Sequence, residues 1–402
     1  MSKRQLAALV LCSIVYWTVG NGMTPLLPVF TESLGADTAM VGYSLSIAYV
    51  ALAAGAMAAG WLVGRVKSLR RLLIISAFLS PPFLYLIGQA TNILQLVVFM
   101  SLAMFMGGLG LALISILTGY LAAEKERGRV FGALAMTGPV GILLGGLAAG
   151  PVADAWGFPG LFAVSAAFSL LAPLLAWLLL EKTPADAASA VATGTAPPAE
   201  EAGQKAGLGR GFTFLFLAAL VVIAANVASQ IGRTWAMNDL GFNLTAISST
   251  QAVSGLVTLP LPLLAGWLSD RMGRRLILGI SYVTVTLALL VLVYSTELWH
   301  FWAVIILANA QATISGALTP ALGADLVRRS AMGRAMALLS VTTWIGGILG
   351  FAAAGEAVKA LGLGPTMLLA ALLPLVALAL LGFIQRPRGL ATSVQIEGVH
   401  ET

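Results

Sequence analysis

Charge is what this chain lacks most. Only 9% of its 402 residues are Asp, Glu, Lys or Arg, whereas 59% are hydrophobic. A soluble domain carries about 25% charged residues, so a water-soluble fold of this composition would expose far too much apolar surface. We therefore expect the chain to lie in lipid, where backbone groups must be satisfied within each segment and long apolar runs form helices.

Residues that bind metals or perform catalysis are also scarce. The chain has one cysteine, Cys12, and two histidines, His300 and His400. A single cysteine excludes an internal disulfide and a cysteine-based metal cluster, and Cys12 is expected to be a small apolar filler. The sequence contains no nucleophile–base pair and no phosphate-binding loop. We expect no metal, no cofactor and no enzymatic activity.

Apolar runs long enough to cross a bilayer, about 20 residues each, recur along the whole chain. They predict an all-α membrane protein with twelve transmembrane helices in two six-helix bundles. The runs in the first half are roughly Leu6–Phe30, Met40–Gly64, Leu72–Ala90, Leu94–Leu121, Val130–Val152 and Leu161–Leu180. Those in the second half are roughly Phe212–Trp235, Thr245–Leu268, Leu276–Tyr294, Trp299–Ala324, Arg334–Ala357 and Gly364–Ile384. We number them spans 1 to 12.

Between the halves the composition changes to Ala, Pro, Thr and Glu without apolar periodicity, which is typical of a flexible linker. The sequence therefore predicts an N-terminal bundle (1–181), a linker (182–211), a C-terminal bundle (212–388) and a polar tail (389–402). The linker and the tail are both expected in the cytoplasm.

The basic residues predict the orientation. Of the 22 Lys and Arg residues, only Arg233 and Lys359 fall on the side opposite the N-terminus. By the positive-inside rule both termini are cytoplasmic, and we expect a multi-pass protein of the inner membrane. The anionic inner leaflet accounts for the net positive charge, so no nucleic-acid partner is needed. The expected partners are the lipid bilayer and a small-molecule substrate, and we expect a monomer.

The two halves are repeats of each other. Residues Gly266–Arg275 read GWLSDRMGRR, and a degraded copy begins 206 residues earlier at Gly60. At a separation of 205, Asn21 aligns with Asn226, and three glycines of span 5 align with three of span 11. These are Gly141, Gly145 and Gly150, followed by Gly346, Gly350 and Gly355. Repeats of this kind predict two parallel halves with a binding site near their shared midplane.

Here the chain resembles the major facilitator superfamily, in particular its bacterial drug and metabolite efflux branches. The resemblance covers essentially the full length and is strongest at Gly266–Arg275, which fits the family's loop between the second and third helices of a half. Residues 25–28 (Pro-Leu-Leu-Pro) and the glycines of span 5 also resemble the family. The resemblance implies a cavity lined by spans 1, 4, 7 and 10, with spans 2, 5, 8 and 11 at the sides where the halves rock.

The loop between spans 8 and 9 is predicted to be a cytoplasmic latch. Gly266 allows close helix approach, Gly273 a tight turn, and Asp270 can meet the positive N-terminus of a helix, which the resemblance identifies as span 5. The other members are Arg271, Arg274, Arg275, Asp325 as the partner of Arg274, and Arg65 in the first-half copy. That copy has Gly64 in place of the aspartate, so inward-facing states should be easier to reach. The alternative is that basic residues only mark a cytoplasmic loop.

The repeated glycines also have two interpretations. Small residues four apart allow close packing and rocking of membrane helices, which we favour. The alternative is that they are a marker of antiport, as in some members of the family.

Polar residues on single helix faces predict the substrate cavity. Span 7 carries Asn226, Gln230 and Arg233 at helical spacing, and span 1 carries Trp17, Asn21 and Thr24 in the same way. The remaining candidates are Ser101 and Met104 in span 4 and Asn309, Gln311 and Thr313 in span 10. Polar side chains are costly in lipid and should face inward, although hydrogen bonding between helices is an alternative explanation.

Arg233 has three interpretations. It anchors a substrate anion, or forms an external gate with Asp239 or Asp37, or extends its charged end to the outer interface. The sequence favours the gate or the interface.

Acids are absent from the middle of every predicted span. A buried carboxylate is the usual proton carrier, so proton coupling would depend on the peripheral acids Glu32, Asp37 or Asp325. The expected function is transport of a small hydrophobic or amphipathic solute by alternating access, in the direction of efflux. The alternatives are a metabolite or sugar importer or facilitator and, from another class, a membrane sensor or scaffold that does not transport.

Overall fold

The structure is a computed structural model. It describes residues 2–63, 65–66, 68–122, 126–180, 208–327 and 331–384, without the side chain of Arg127. In this part of the chain the regular structure is helical and no strand occurs. Most of the predicted linker, the predicted tail and Gly64 lie outside the described residues. Those predictions therefore stay predictions.

The helices follow the predicted spans with shifts of a few residues at their ends. In the first half they are Lys3–Met23, Leu27–Ser33, Thr38–Val63, Leu69–Gly88, Ile93–Leu121, Arg127–Ala135, Thr137–Ser169 and Leu171–Leu179. In the second half they are Gly209–Asp239, Leu244–Thr258, Leu261–Met272, Arg274–Val293, Leu298–Leu326, Met332–Leu361, Leu363–Ala370 and Leu372–Gly382. Span 7 begins at Gly209, so its first three residues belong to a helix and not to the predicted linker.

Twelve crossings account for these helices. Within the described residues, ten helices are long and apolar enough to span a membrane, and the bent pair Leu244–Thr258 and Leu261–Met272 makes an eleventh. One of the ten, Arg129–Leu179, has 51 residues. At 1.5 Å per residue it would be more than twice the thickness of the hydrocarbon core, about 30 Å. Gly157, with φ of 68°, breaks it into spans 5 and 6. The predicted fold class is confirmed.

Gly157 has a counterpart in the second half. Gly362, 205 residues later, has φ of 85° and separates span 11 from span 12. Residues with a Cβ rarely adopt such positive φ values, so the same glycine turn reverses the chain at the same end of each bundle. Polar caps begin other helices: Asn92 accepts from the Gln95 amide, and Asn243 accepts from the Ala246 amide.

The repeated glycines lie at close helix contacts within and between the halves. Gly141 and Gly145 pack against the backbone of span 1, and Gly346 and Gly350 pack against span 7 in the same way. The third member of each set crosses between the halves. Gly150 lies on span 8 at Ser248, and Gly355 lies on span 2 at Gly42. Small residues therefore form two seams between the halves, which we call the 5–8 seam and the 2–11 seam.

We call the end of the molecule that carries Arg65, Arg70, Arg271, Arg274 and Arg275 the basic side, and the other end the far side. Spans 1, 3, 5, 7, 9 and 11 run from the basic side to the far side. The even-numbered spans return. These two ends differ in how tightly the halves meet.

Candidate functional site

On the far side, Asp154 closes the 5–8 seam. Its carboxylate, at the end of span 5, accepts hydrogen bonds from the backbone amides of Leu244 (3.1 Å) and Thr245 (2.8 Å). These amides begin span 8, where unpaired N–H groups and the helix dipole favour a negative charge. One turn deeper, the Gly150 amide donates to the Ser248 hydroxyl at 3.0 Å. Sequence reasoning did not select Asp154, because its partner amides carry no side-chain signal.

The 2–11 seam is also closed by an acid at the start of a helix, but here the acid pairs with a lysine. Asp37 accepts from the Met40 amide at 2.8 Å and forms an ion pair of 2.9 Å with Lys359 of span 11. The Met40 amide and Lys359 together lower the pKa of Asp37. Lys359 occupies the repeat position of Asp154, 205 residues later. In the 5–8 seam, the acid Asp154 comes from span 5 and binds the start of span 8. In the 2–11 seam, the acid Asp37 lies at the start of span 2, and span 11 supplies the lysine.

Further polar contacts join the halves on the far side. The Tyr43 hydroxyl donates to Glu356 at 2.7 Å, and the Ser46 hydroxyl donates to the Ile348 carbonyl at 2.7 Å. Glu32, in the short helix after span 1, accepts from the Asn238 amide group of span 7 at 3.0 Å. Burial raises the pKa of Glu32. Among the described residues, the hydrogen bonds and the ion pair between the halves lie on the far side.

The central cavity, of about 430 Å³, extends from the middle of the molecule toward the basic side. Its polar lining includes Asn226, Gln230, Gln311, Ser315, Thr319 and Thr343 from spans 7, 10 and 11. Tyr49 is the contribution of the first half, and the described lining contains no Asp, Glu, Lys or Arg. Because the halves are joined on the far side and this cavity extends toward the basic side, we infer that the basic side is the open one.

Four polar side chains of the central cavity form one hydrogen-bonded chain. Gln230 donates to the side-chain oxygen of Asn226 at 2.7 Å, and Asn226 donates to the side-chain oxygen of Gln311 at 2.9 Å. Gln311 then donates to the Ser315 hydroxyl at 2.7 Å. Such a chain holds each amide in one orientation. It presents a fixed pattern of donors and acceptors along an otherwise apolar wall.

Three of the predicted cavity residues, Asn226, Gln230 and Gln311, line the central cavity. The span 1 candidates do not. The Asn21 amide group donates to the Trp17 carbonyl at 2.9 Å, and the Thr24 hydroxyl donates to the Gly20 carbonyl at 2.7 Å. Local backbone acceptors satisfy these side chains in this conformation. In this conformation span 7 therefore lines the central cavity and span 1 does not, while Tyr49 of span 2 keeps the cavity shared between the halves.

The candidates from spans 4 and 10 are dispersed. Asn309 ties span 10 to span 8 through Gln251 (3.2 Å) and Ser254 (2.7 Å), which is the interhelical alternative. Met104 lines a separate cavity of about 50 Å³ within the first half. The Ser101 hydroxyl is buried without a hydrogen-bond partner among the described residues. Thr313 is not part of the lining of the central cavity.

Sequence reasoning also missed Tyr49 and Thr343, since it did not consider spans 2 and 11 as cavity walls.

Arg233 differs most from its prediction. Its side chain is only 1% exposed, so it does not reach the interface, and Asp37 is paired with Lys359 instead. The guanidinium donates to the Ile247 carbonyl at 3.1 Å and to the Thr250 hydroxyl, both in span 8. The prediction that Arg233 reaches the outer interface and the prediction that it pairs with Asp37 are therefore both wrong for this conformation. Span 8 passes close to span 7 here and supplies the acceptors.

On the basic side, the predicted latch does not join the halves in this conformation. Asp270 is exposed and makes no hydrogen bond to another described residue, and no helix packs closely on Gly266. Arg274 pairs with Asp325 at 2.7 Å, but both residues belong to the second half. Gly273 forms the expected turn, with φ of 93°.

The arginines of the loop have equivalents in the first half. Arg271 lies over the Trp267 ring at 3.9 Å, and Arg65 lies over Trp61 at 3.8 Å. Arg275 donates to carbonyls at the end of span 12, at 2.7 Å from both Gly382 and Ile384. In the same way Arg70 donates to the Trp177 carbonyl at the end of span 6, at 2.7 Å. The degraded copy thus keeps its structural arginines and lacks the aspartate.

Comparison with known proteins agrees with this architecture. The sequence model of the Major Facilitator Superfamily matches residues 9–231 and 214–401. The multidrug resistance protein MdtG of Enterobacter lignolyticus (strain SCF1) is 27% identical over 315 residues, which cover 75% of this chain and 72% of that protein.

Two solved structures have the same fold. A point mutant of the nucleoside transporter NupG superposes with a TM-score of 0.76 at 16% identity, over 95% of this chain and 100% of that chain. A POT family transporter in complex with 5-aminolevulinic acid superposes with a TM-score of 0.75 at 14% identity, over 94% of this chain and 96% of that chain. At these identities the likeness concerns the fold alone.

Proposed function

Because the chain belongs to the Major Facilitator Superfamily, we propose that this membrane transporter exports small hydrophobic or amphipathic solutes by alternating access. The observation that carries the proposal is the central cavity. Its volume, about 430 Å³, lies within the range of pockets that hold drug-sized molecules, about 300–1,000 Å³. Its described lining is apolar apart from neutral amides and hydroxyls. Such a lining favours solutes that bury apolar surface and make a few hydrogen bonds.

The direction of efflux has weaker support. A relative at 27% identity carries the name of a multidrug resistance protein, and the chain shares its family. Two solved neighbours are named as a nucleoside and a POT family transporter, so import or facilitated movement of a metabolite is the second candidate. A facilitator also fits a central cavity whose described lining has no acid.

We also propose an orientation in the inner membrane with the basic side and both termini in the cytoplasm, according to the placement of Lys and Arg. In that orientation the structure faces inward. The protein then acts as a monomer and without enzymatic chemistry. A scaffold that does not transport would need neither glycine seams, along which the two halves can rock, nor a cavity that is open on the basic side.

A thermal-shift screen of the purified protein against a broad library of metabolites and drugs tests the proposal. A ligand that binds the folded state raises the unfolding temperature by mass action. Gln230→Ala should weaken a specific hit about five- to tenfold in calorimetry, the size expected for one hydrogen bond. Ser281→Ala is the matched control, because this buried hydroxyl bonds only within span 9, to the Leu278 carbonyl at 2.7 Å. Equal loss in both variants would place the site elsewhere.

A further inference from the structure

Arg233 is a buried cation that neither the central cavity nor the far-side contacts explain. Its guanidinium stays protonated in proteins, and its side chain is 1% exposed. The acceptors around it are neutral: the Ile247 carbonyl and the hydroxyls of Thr250 and Thr234. Its Nε atom is buried without a hydrogen-bond partner among the described residues. A buried charge without a countercharge is expensive.

The acids of the far side have their own partners. Asp37 is paired with Lys359, Asp154 accepts from the amides of span 8, and Glu32 accepts from Asn238. Asp239 lies at the exposed end of span 7, almost two turns beyond Arg233. Within the described residues no carboxylate is therefore bonded to this guanidinium.

Arg233 lines a second, smaller cavity of about 10 Å³, which we call the gate pocket. Thr24, Pro28 and Leu45 form its walls from the first half, and Gln230, Arg233 and Gln251 form them from the second half. A cavity of this size holds about one water molecule. Because its walls come from both halves, the gate pocket must widen when the halves separate on the far side.

The gate pocket continues the central cavity toward the far side. Gln230 lines both cavities, and Arg233 follows it by less than one turn of the same helix. A ligand that occupies the central cavity therefore lies one side chain away from the guanidinium. The boundary between the two cavities is the neutral amide of Gln230.

We propose that Arg233 is an anion-binding subsite, and that the solute is an amphipathic organic anion with one carboxylate or similar group. The acidic group binds Arg233 when the far side opens, and the apolar body lies in the central cavity beside Tyr49 and Val222. This proposal rests on the proposed function and specifies its substrate class. A purely structural arginine would hold span 7 to span 8 and would make no contact with the solute.

Thiol labelling at position 230 tests the subsite even while the solute itself is unidentified. Gln230→Cys is made in a Cys12→Ala background, since Cys12 is the sole cysteine. Two methanethiosulfonate reagents are compared, one with a sulfonate and one with a trimethylammonium group. Thr343→Cys, in the span 11 lining of the central cavity, is the matched control. The ratio of the two labelling rates reports the local electrostatic potential.

With Arg233 present, the sulfonate reagent should be favoured at position 230. Adding Arg233→Gln should lower the ratio on the order of tenfold, as expected when a unit charge about one helical turn away acts oppositely on the two reagents. Arg233→Lys should preserve the ratio, and it also serves as a variant that keeps the charge if Arg233→Gln folds poorly. The ratio at position 343 should change little.

An unchanged ratio at position 230 would overturn the subsite, and so would the absence of labelling there by either reagent. If position 343 still reacts in those cases, the central cavity is open to water and the proposed function is unaffected. Failure of both positions to react would contradict the proposed function itself, because a solute path must admit a reagent of this size.

Discussion

Asp154 offers a direct test of how the far side is held closed. Its two hydrogen bonds to the amides of Leu244 (3.1 Å) and Thr245 (2.8 Å) cross the 5–8 seam. They exist only while that seam is closed, so their loss changes the balance between two conformations and not only the stability of the fold. Asp154→Asn keeps the shape of the side chain and removes the charge.

The size of the effect follows from the geometry. Asparagine retains one acceptor oxygen but presents an amide group to the other backbone N–H, so one charge-assisted bond of about 1.5–3 kcal/mol is lost. The interaction with the start of span 8 adds about 0.3–1 kcal/mol. Asp154 is exposed, and solvent screening reduces both contributions to a total of about 1 kcal/mol, the upper end for exposed charge interactions. The ratio of closed to open far side should therefore fall about fivefold.

Distances between spin labels at the far ends of spans 4 and 9 measure this ratio. Leu94 and Tyr294 are 74% and 77% exposed, so Leu94→Cys and Tyr294→Cys in a Cys12→Ala background accept labels with little disturbance. Asp154→Asn should increase the population with the longer distance.

Asp270→Asn is the matched comparison. Asp270 makes no hydrogen bond to a described residue in this conformation, so its loss should not destabilise the state with the far side closed. It should destabilise the state in which the basic side is closed by the predicted latch. The two identical substitutions should therefore shift the distribution in opposite directions. A parental distribution for Asp154→Asn, or a shift in the same direction for both, would refute the reasoning.

Three further predictions concern packing, pH and energy coupling. Gly150→Ala should disfavour the closed far side in the same spin-label measurement, because a Cβ there would overlap Ser248; Gly138→Ala, with no atom nearby, should leave the distribution unchanged. Burial raises the pKa of Glu32 in the closed form, so protonation favours closure: the closed population should grow as pH falls through that raised pKa and shrink above it, and Glu32→Gln should abolish the dependence. Solute movement into proteoliposomes should not become concentrative under an imposed pH gradient, since no acid lines the described central cavity. Accumulation that an ionophore abolishes would contradict this and would direct attention to Glu32.

Much of the fold could be predicted because its causes are local. Composition and run length indicate lipid and helices, and the separation of 205 residues between glycines indicates two repeated halves. Gly157 and Gly362 then both adopt a positive φ. Asn226 and Gln230 could be placed on an inward face because polar side chains in lipid must find partners.

The binding site and the seams depended on the tertiary structure. Most spans are apolar on all sides, so periodicity does not distinguish the lipid-facing side from the packed one. Arg233 could not be placed without span 8, whose Ile247 carbonyl and Thr250 hydroxyl surround it. Asp154 could not be paired, because its partners are backbone amides 90 residues later. Composition and repeats determined the spans and their two halves. Which helix faces meet, and on which side the halves close, was decided by packing between segments distant in sequence.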